Sequence, residues 1–123
     1  MKHCSLILSS LFALTACQPT AKDKSMAIGK EIYIANCITC HQPDGNGITG
    51  VYPSLLKSNK ISLFQTKRAI QLITYGSPFE AGMKPMHLSE KEIVDVINYI
   101  QNTWKNNAPL LTKSELKELK NSW

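Results

Sequence analysis

The strongest periodic signal lies late in the chain, where Ile93, Val96, Ile97, Ile100 and Trp104 recur at the three-and-four spacing of a helix with one buried face. Ser89-Glu90-Lys91-Glu92 precedes it as a capping box, in which the hydroxyl accepts from the backbone N–H three residues on and the glutamate reaches back. Thr112-Lys113-Ser114-Glu115 repeats the device and opens a short, largely polar C-terminal helix carrying Leu116 and Leu119. Earlier, Ser25 reads as the N-cap of a helix running to about Asn36, with Ile28, Ile32 and Ala35 on one face. Another helix is predicted between about Ser62 and Tyr75, carrying Leu63, Ala69, Ile70 and Ile73, and Gly76-Ser77-Pro78 stops it. No alternating strand pattern and no internal repeat occurs. The pattern predicts a small all-α domain of three to four helices joined by long loops.

The first sixteen residues follow a different pattern. Lys2 gives a basic start, and Leu6 to Leu14 form a mostly apolar core, the length of an export signal's hydrophobic region. A bilayer span needs about 20 apolar residues, so this segment is too short for one. Leu14-Thr15-Ala16-Cys17 resembles the lipobox of bacterial lipoproteins, in which the cysteine is lipidated and becomes the new N-terminus. Cys4 falls in the segment that such processing discards. Gln18 to Lys24 is polar, contains Pro19 and lacks apolar periodicity, as expected of a tether. The expected organisation is a lipoprotein signal peptide at 1–16, a tether at 17–24, a domain at 25–104 and an extension at 105–123. The chain is therefore expected on the periplasmic side, held to a membrane through lipid on Cys17. Gln18 after that cysteine resembles lipoproteins passed to the outer membrane.

Size and charge narrow the field. A chain of 123 residues has room for one domain, which excludes a large multidomain enzyme. Its net charge of +5 suits an anionic partner, but the lysines form no dense run and lack interleaved aromatic platforms, so a nucleic-acid role is not expected. Aromatic residues are only 7%, and the interval from Gln42 to Ile61 has little regular pattern. A large apolar cofactor, wrapped by the loops, would offset the entropy of ordering so long a segment.

Cys37-Ile38-Thr39-Cys40-His41 is the residue set that attaches c-type haem. Two thiols spaced by two residues can both reach porphyrin vinyl groups, and the histidine that follows lies beneath the iron. A structural zinc site wants about four N or S ligands, and the remaining cysteines lie in the signal and lipobox. A thioredoxin-like dithiol expects a βαβ context, which the pattern does not offer.

The run from Gly29 to His41, with Pro43-Asp44-Gly45-Asn46-Gly47 after it, resembles the opening of class I bacterial cytochromes c. Val51-Tyr52-Pro53-Ser54-Leu55 resembles the family segment whose proline carbonyl accepts a hydrogen bond from the proximal histidine. Leu88 to Ile93, on through Tyr99-Ile100-Gln101-Asn102, resembles the family's last core helix. The collinear similarity covers about Ser25 to Trp104. The Ala108 to Lys120 tail resembles extensions on cytochromes c that serve dehydrogenases and reductases.

This resemblance implies one covalently attached haem c per chain, bound through Cys37 and Cys40. His41 is then the proximal ligand, and the Pro53 carbonyl fixes its tautomer and raises its basicity. It also places Gly29 and Tyr33 where the first helix crosses the last, near Tyr99. For the distal ligand it points to a methionine in the loop before the final helix. Met83 has more slack than Met86 for reaching across the haem face, although Lys84 stands where such a loop usually has proline. Met86 and His87 are the alternatives, and Met26 is better placed for core packing.

The implied function is one-electron transfer between redox proteins on the exported side, such as a respiratory complex, dehydrogenase, oxidase or reductase. The chain is then a carrier or an electron-transfer subunit and not itself an enzyme. A five-coordinate haem enzyme subunit or gas sensor is the alternative; Glu80 and His87, which flank the methionine loop, read as solvated rim. Lys57, Lys60, Lys67, Arg68 and Lys84 are candidates for docking acidic partners.

Overall fold

Three capping boxes set where three of the helices begin. In the computed structural model, which describes residues 18–56, 63–79 and 82–123, the Oγ atoms of Thr20, Ser89 and Thr112 each accept from the backbone N–H three residues on. Asp23, Glu92 and Glu115 return the bond to the cap backbone. The helices are α1 (Ala21–Asn36), α2 (Ile38–His41), α3 (Leu63–Tyr75), α4 (Glu90–Asn102) and α5 (Lys113–Asn121). Among the described residues there is no strand, and an isolated bridge joins Ile48 to Tyr52. No helix among them is long and apolar enough to cross a membrane. The signal and lipobox with Cys4 and Cys17, together with Lys57, Lys60, Ser62 and Glu80, lie outside the described residues.

The fold is all-α, as the periodicity predicts, with three differences in detail. The helix count exceeds three to four because α2 is a single turn, too short to show a period. α1 starts at Ala21, not after Ser25, so residues expected in the tether are helical from there on. Thr20 and Asp23 cap that end, and the Ser25 hydroxyl instead donates to Asp95 Oδ1 at 2.7 Å. α4 ends at Asn102, and Trp104 lies beyond it with φ at 59°, a left-handed conformation outside the helix.

α1 crosses α4 at Gly29. A Cβ on that residue would overlap the Asp95 carbonyl and sit 2.7 Å from Tyr99 Cβ, so only a hydrogen there lets the two backbones meet. The core gathers Ile32 and Tyr33 of α1, Ile70 and Ile73 of α3, and Ile93, Val96 and Ile97 of α4. Leu111, Leu116 and Leu119 extend it, so the polar-looking α5 buries a narrow leucine stripe. Burying such side chains contributes about 1.5–3 kcal/mol each.

Buried polar residues stitch the helices to their neighbours. Asn98 is buried, and it clasps the Leu111 backbone, donating to its carbonyl at 3.1 Å and accepting from its N–H at 2.7 Å. Gln101 Nε2 donates to Thr66 Oγ1 at 2.7 Å, tying α4 to α3. Asn106 donates to the carbonyls of Leu55 and Ile100.

Candidate cofactor site

The end of α1 carries the chemistry. Cys37 closes α1, its N–H donating to the Tyr33 carbonyl at 2.8 Å, and the chain re-enters a single helical turn at once. That turn carries Cys40 and His41, and Cys37 stands at its N-cap, so the three share one short spiral. Both thiols are free: Cys37 is buried and Cys40 half-buried. Burial, with the charge of Cys40 beside it, pushes the Cys37 thiol up to about 11. Burial thus disfavours the Cys37 thiolate.

His41 is held by its ring. Nδ1 lies 3.0 Å from the Pro53 carbonyl oxygen, an arrangement that makes Nδ1 the protonated nitrogen and leaves Nε2 with a lone pair to offer. The carbonyl is presented by a loop with its own backbone framework. Gly47 N–H donates to the His41 carbonyl at 3.0 Å, Ile48 and Tyr52 exchange backbone bonds, and Leu55 N–H donates to the Gly45 carbonyl at 2.8 Å. The stretch expected to lack regular pattern is therefore tied to itself across residues 41–55. Gly47 has φ at +66°, and a Cβ there would meet the Pro53 carbonyl oxygen at 2.6 Å.

An aromatic cluster supports the turn from behind. Tyr33 and Tyr99 have ring centroids 5.5 Å apart, and Trp104 packs edge-on to both, at 5.5 and 6.0 Å. Tyr33 Oη donates to the Gln42 carbonyl at 2.7 Å, and Trp104 Nε1 donates to the Pro43 carbonyl at 3.1 Å. Burial holds the Tyr33 phenol above its ordinary pKa of 10.0, so it stays a donor. These contacts fix the two carbonyls that follow His41. Their roles were not foreseen from sequence, where Trp104 read as one more apolar position of the last helix.

Met83 and Met86 share the loop between α3 and α4, both half-buried against the core cluster, whereas His87 is exposed. The Met83 carbonyl accepts from Ser77 N–H at 2.7 Å, and Met86 N–H donates to the Ile73 carbonyl at 2.8 Å. Cys37, Cys40, His41 and Pro53 thus form one contiguous unit. The methionines come from a separate loop pinned to the end of α3.

Among the described residues no group of three or more His, Cys, Asp or Glu side chains converges to hold a metal ion. Two unpaired thiols one turn apart, beside a histidine with Nε2 available, fit a porphyrin attached through sulfur; Leu55, Met83, Met86 and Leu88 are half-buried against the core cluster to which Cys37 belongs. Fold and site together define a small all-α protein built to carry a covalently held prosthetic group.

The chain belongs to the cytochrome c family, which matches residues 26–104. Membership implies covalently bound haem c and a role in electron transfer. The chain is 28% identical over 103 residues to the cytochrome c subunit of a quinone alcohol dehydrogenase from Gluconobacter oxydans (strain 621H), covering 75% of this chain and 22% of that one. It is 26% identical over 105 residues to subunits of the same description from Gluconacetobacter polyoxogenes and Komagataeibacter europaeus, with 76% and 22% covered. The chain thus spans about a fifth of the length of these relatives.

Proposed function

We propose that this chain is a lipid-anchored, mono-haem class I cytochrome c that passes single electrons between redox proteins on the exported side of a membrane. In this reading Cys37 and Cys40 hold the haem by thioether bonds, His41 Nε2 is the proximal ligand and Met83 the distal one. The observation that carries it is the 3.0 Å contact from His41 Nδ1 to the Pro53 carbonyl, directly beside two free thiols. When bound, the haem supplies an iron that gains or loses one electron. His41, oriented by Pro53, is a firm and basic ligand, and Met83, a soft thioether, favours the reduced state and raises the potential. Both ligands belong to segments tied down by backbone hydrogen bonds, so little rearrangement accompanies the change of charge.

That these relatives are cytochrome c subunits of a quinone alcohol dehydrogenase supports a dehydrogenase as one redox partner. The basic surface, including Lys84 next to Met83, suits acidic partners. Cys17 is the lipid anchor in this proposal, and Gln18 favours the outer membrane.

Acid–acetone extraction and a denaturing gel test the attachment: haem stays with the polypeptide if the thioether bonds exist, and complete loss refutes them. Met83→Ala abolishes the weak red Fe(III)–sulfur band and lowers the potential, while Met86→Ala preserves both; the reverse pattern transfers the role to Met86. Rapid carbon monoxide binding to the reduced protein would instead indicate the five-coordinate haem enzyme or gas sensor. Cys17→Ser prevents lipidation and impairs processing of the signal, and a wild-type N-terminus shown by mass spectrometry to be unmodified at Cys17 refutes the anchor.

A further inference from the structure

The outward face of α3 and the end of α5 form a surface that the haem site does not use. On α3, Ile70 and Ile73 are fully buried, while Arg68, Gln71 and Tyr75 stand at helical spacing on another face. These three, with Gly76, Ser77 and Pro78, line an open cleft of about 400 Å³. Trp123 packs edge-on against Tyr75 at 5.2 Å, and Lys67 Nζ donates to the Ser122 carbonyl at 2.7 Å and to its hydroxyl at 3.0 Å, holding the end of α5 against α3. Phe79 follows Pro78 in the chain. Tyr75 is 63% exposed, Phe79 74% and Trp123 40%, although aromatic residues of this size usually find burial.

Exposed aromatics beside an arginine have the composition of an interaction hot spot, since Trp, Tyr and Arg dominate the energetics of protein interfaces. Among the described residues the cleft lining contains one cation, Arg68, and no carboxylate. The cleft is also connected to the methionine loop, because Ser77 N–H donates to the Met83 carbonyl.

We propose that Arg68, Tyr75, Phe79 and Trp123 form a docking surface for an acidic redox protein that presents an apolar contact ringed by carboxylates. The proposal rests on the electron-transfer reading and deepens it. The partner's apolar contact covers Tyr75 and Trp123, and its carboxylate pairs with the Arg68 guanidinium. Docking there sets the partner against the loop that carries Met83. One electron leaves the reduced partner and enters the oxidised holoprotein, with no bond made and no proton required. α5 then does more than complete the core, since its last turn holds Trp123 beside Tyr75.

Stopped-flow reduction of the purified holoprotein tests this with two probes: reduced flavodoxin, an acidic protein with an exposed flavin edge, and reduced free riboflavin, which needs no docking surface. At low ionic strength, Arg68→Glu and Phe79→Ser are each expected to slow the flavodoxin reaction at least 5-fold, an effect that fades as salt rises for Arg68→Glu and persists for Phe79→Ser. The riboflavin rate and the midpoint potential should not change. Phe79 lies outside any helix and is mostly exposed, so its replacement leaves the fold intact. Lys22→Glu, at an exposed position in the first turn of α1, makes the same change in net charge and should slow the reaction less than 2-fold. Equal slowing by Lys22→Glu, wild-type rates for Arg68→Glu and Phe79→Ser, or a wild-type protein that reacts with riboflavin but not with flavodoxin each overturns the docking surface. A wild-type protein that accepts electrons from neither probe overturns the electron-transfer reading itself.

Discussion

Single atoms set the geometry around His41, and Gly47 shows how. The residue is left-handed, and the space that a side chain would fill is already taken by the carbonyls of Tyr52 and Pro53. Gly50 is left-handed too, with φ at +76°, but nothing lies within 4 Å of where its Cβ would stand. Comparing the two separates backbone strain from steric overlap. Gly50→Ala is expected to cost about 1 kcal/mol, the strain of a left-handed L-residue. Gly47→Ala should cost at least ~2 kcal/mol, because the Pro53 segment must also move. Chemical denaturation of the holoprotein measures both. Moving Pro53 also loosens its bond to His41, so Gly47→Ala should shift the midpoint potential while Gly50→Ala leaves it in place. Equal costs for the two variants would show that the loop yields without resistance.

At the scale of elements, α5 depends on one side chain of α4. Asn98 satisfies both the N–H and the carbonyl of Leu111, and that peptide enters the turn where Thr112 caps α5. Asn98→Ala leaves both groups without their partner near the buried Leu111 side chain, at an expected cost of about 3 kcal/mol. The loss should be local at first. Hydrogen exchange at the Leu116 and Leu119 amides is expected to accelerate more than at Ile97, because α5 detaches before the α1–α4 crossing opens. Asn98→Asp keeps the acceptor for the Leu111 N–H but turns a buried carboxylate oxygen on the Leu111 carbonyl, and should not recover the stability. Uniform acceleration across α4 and α5 would mean that the two helices unfold as one unit. The Glu90 carboxylate, 3.8 Å from Lys113 and 3.7 Å from Lys120, joins the same pair of helices, but exposed ion pairs of that length contribute little.

For the whole molecule, the capping boxes make stability depend on acid. Asp23, Glu92 and Glu115 are all held below their ordinary values, first by the hydrogen bond from the cap side chain and then by the cap backbone. Asp44 is lowered in the same way by Asn46. A carboxylate whose pKa is depressed by folding adds stability that is complete above its unfolded value and is lost as pH falls through the folded one. The ordinary values are 3.8 for the aspartates and 4.5 for the glutamates, so the denaturation midpoint of the holoprotein should stay level near neutrality and fall below about pH 5. Glu92→Gln and Glu115→Gln should each flatten that fall. A profile unchanged by either variant would show that the acid response originates elsewhere. Because these carboxylates are exposed, the effect of each is small and weakens with salt.

Much of this was legible in the residues alone. The helix built on Ile93, Val96, Ile97 and Ile100 and the capping boxes at Ser89 and Thr112 are local matters of spacing and side-chain reach. So is the Cys37 to His41 run, because five consecutive residues carry the whole arrangement of thiols and ring. Thr20 was readable in the same way, but its partner is Asp23 rather than the usual glutamate or glutamine, and the polar surroundings resemble a tether. Only the tertiary structure decided the rest. Trp104 leaves the helix because its indole N–H finds the Pro43 carbonyl, 61 residues away in sequence. Asn98 was one more polar position until Leu111 came to lie against it. Tyr75 and Trp123 share no local pattern, and only the packing of α5 against α3 brings them into ring contact. A short-range pattern is fixed by which atoms a residue can reach along its own chain. A long-range partner is fixed only when packing of the core brings distant segments within a few ångströms.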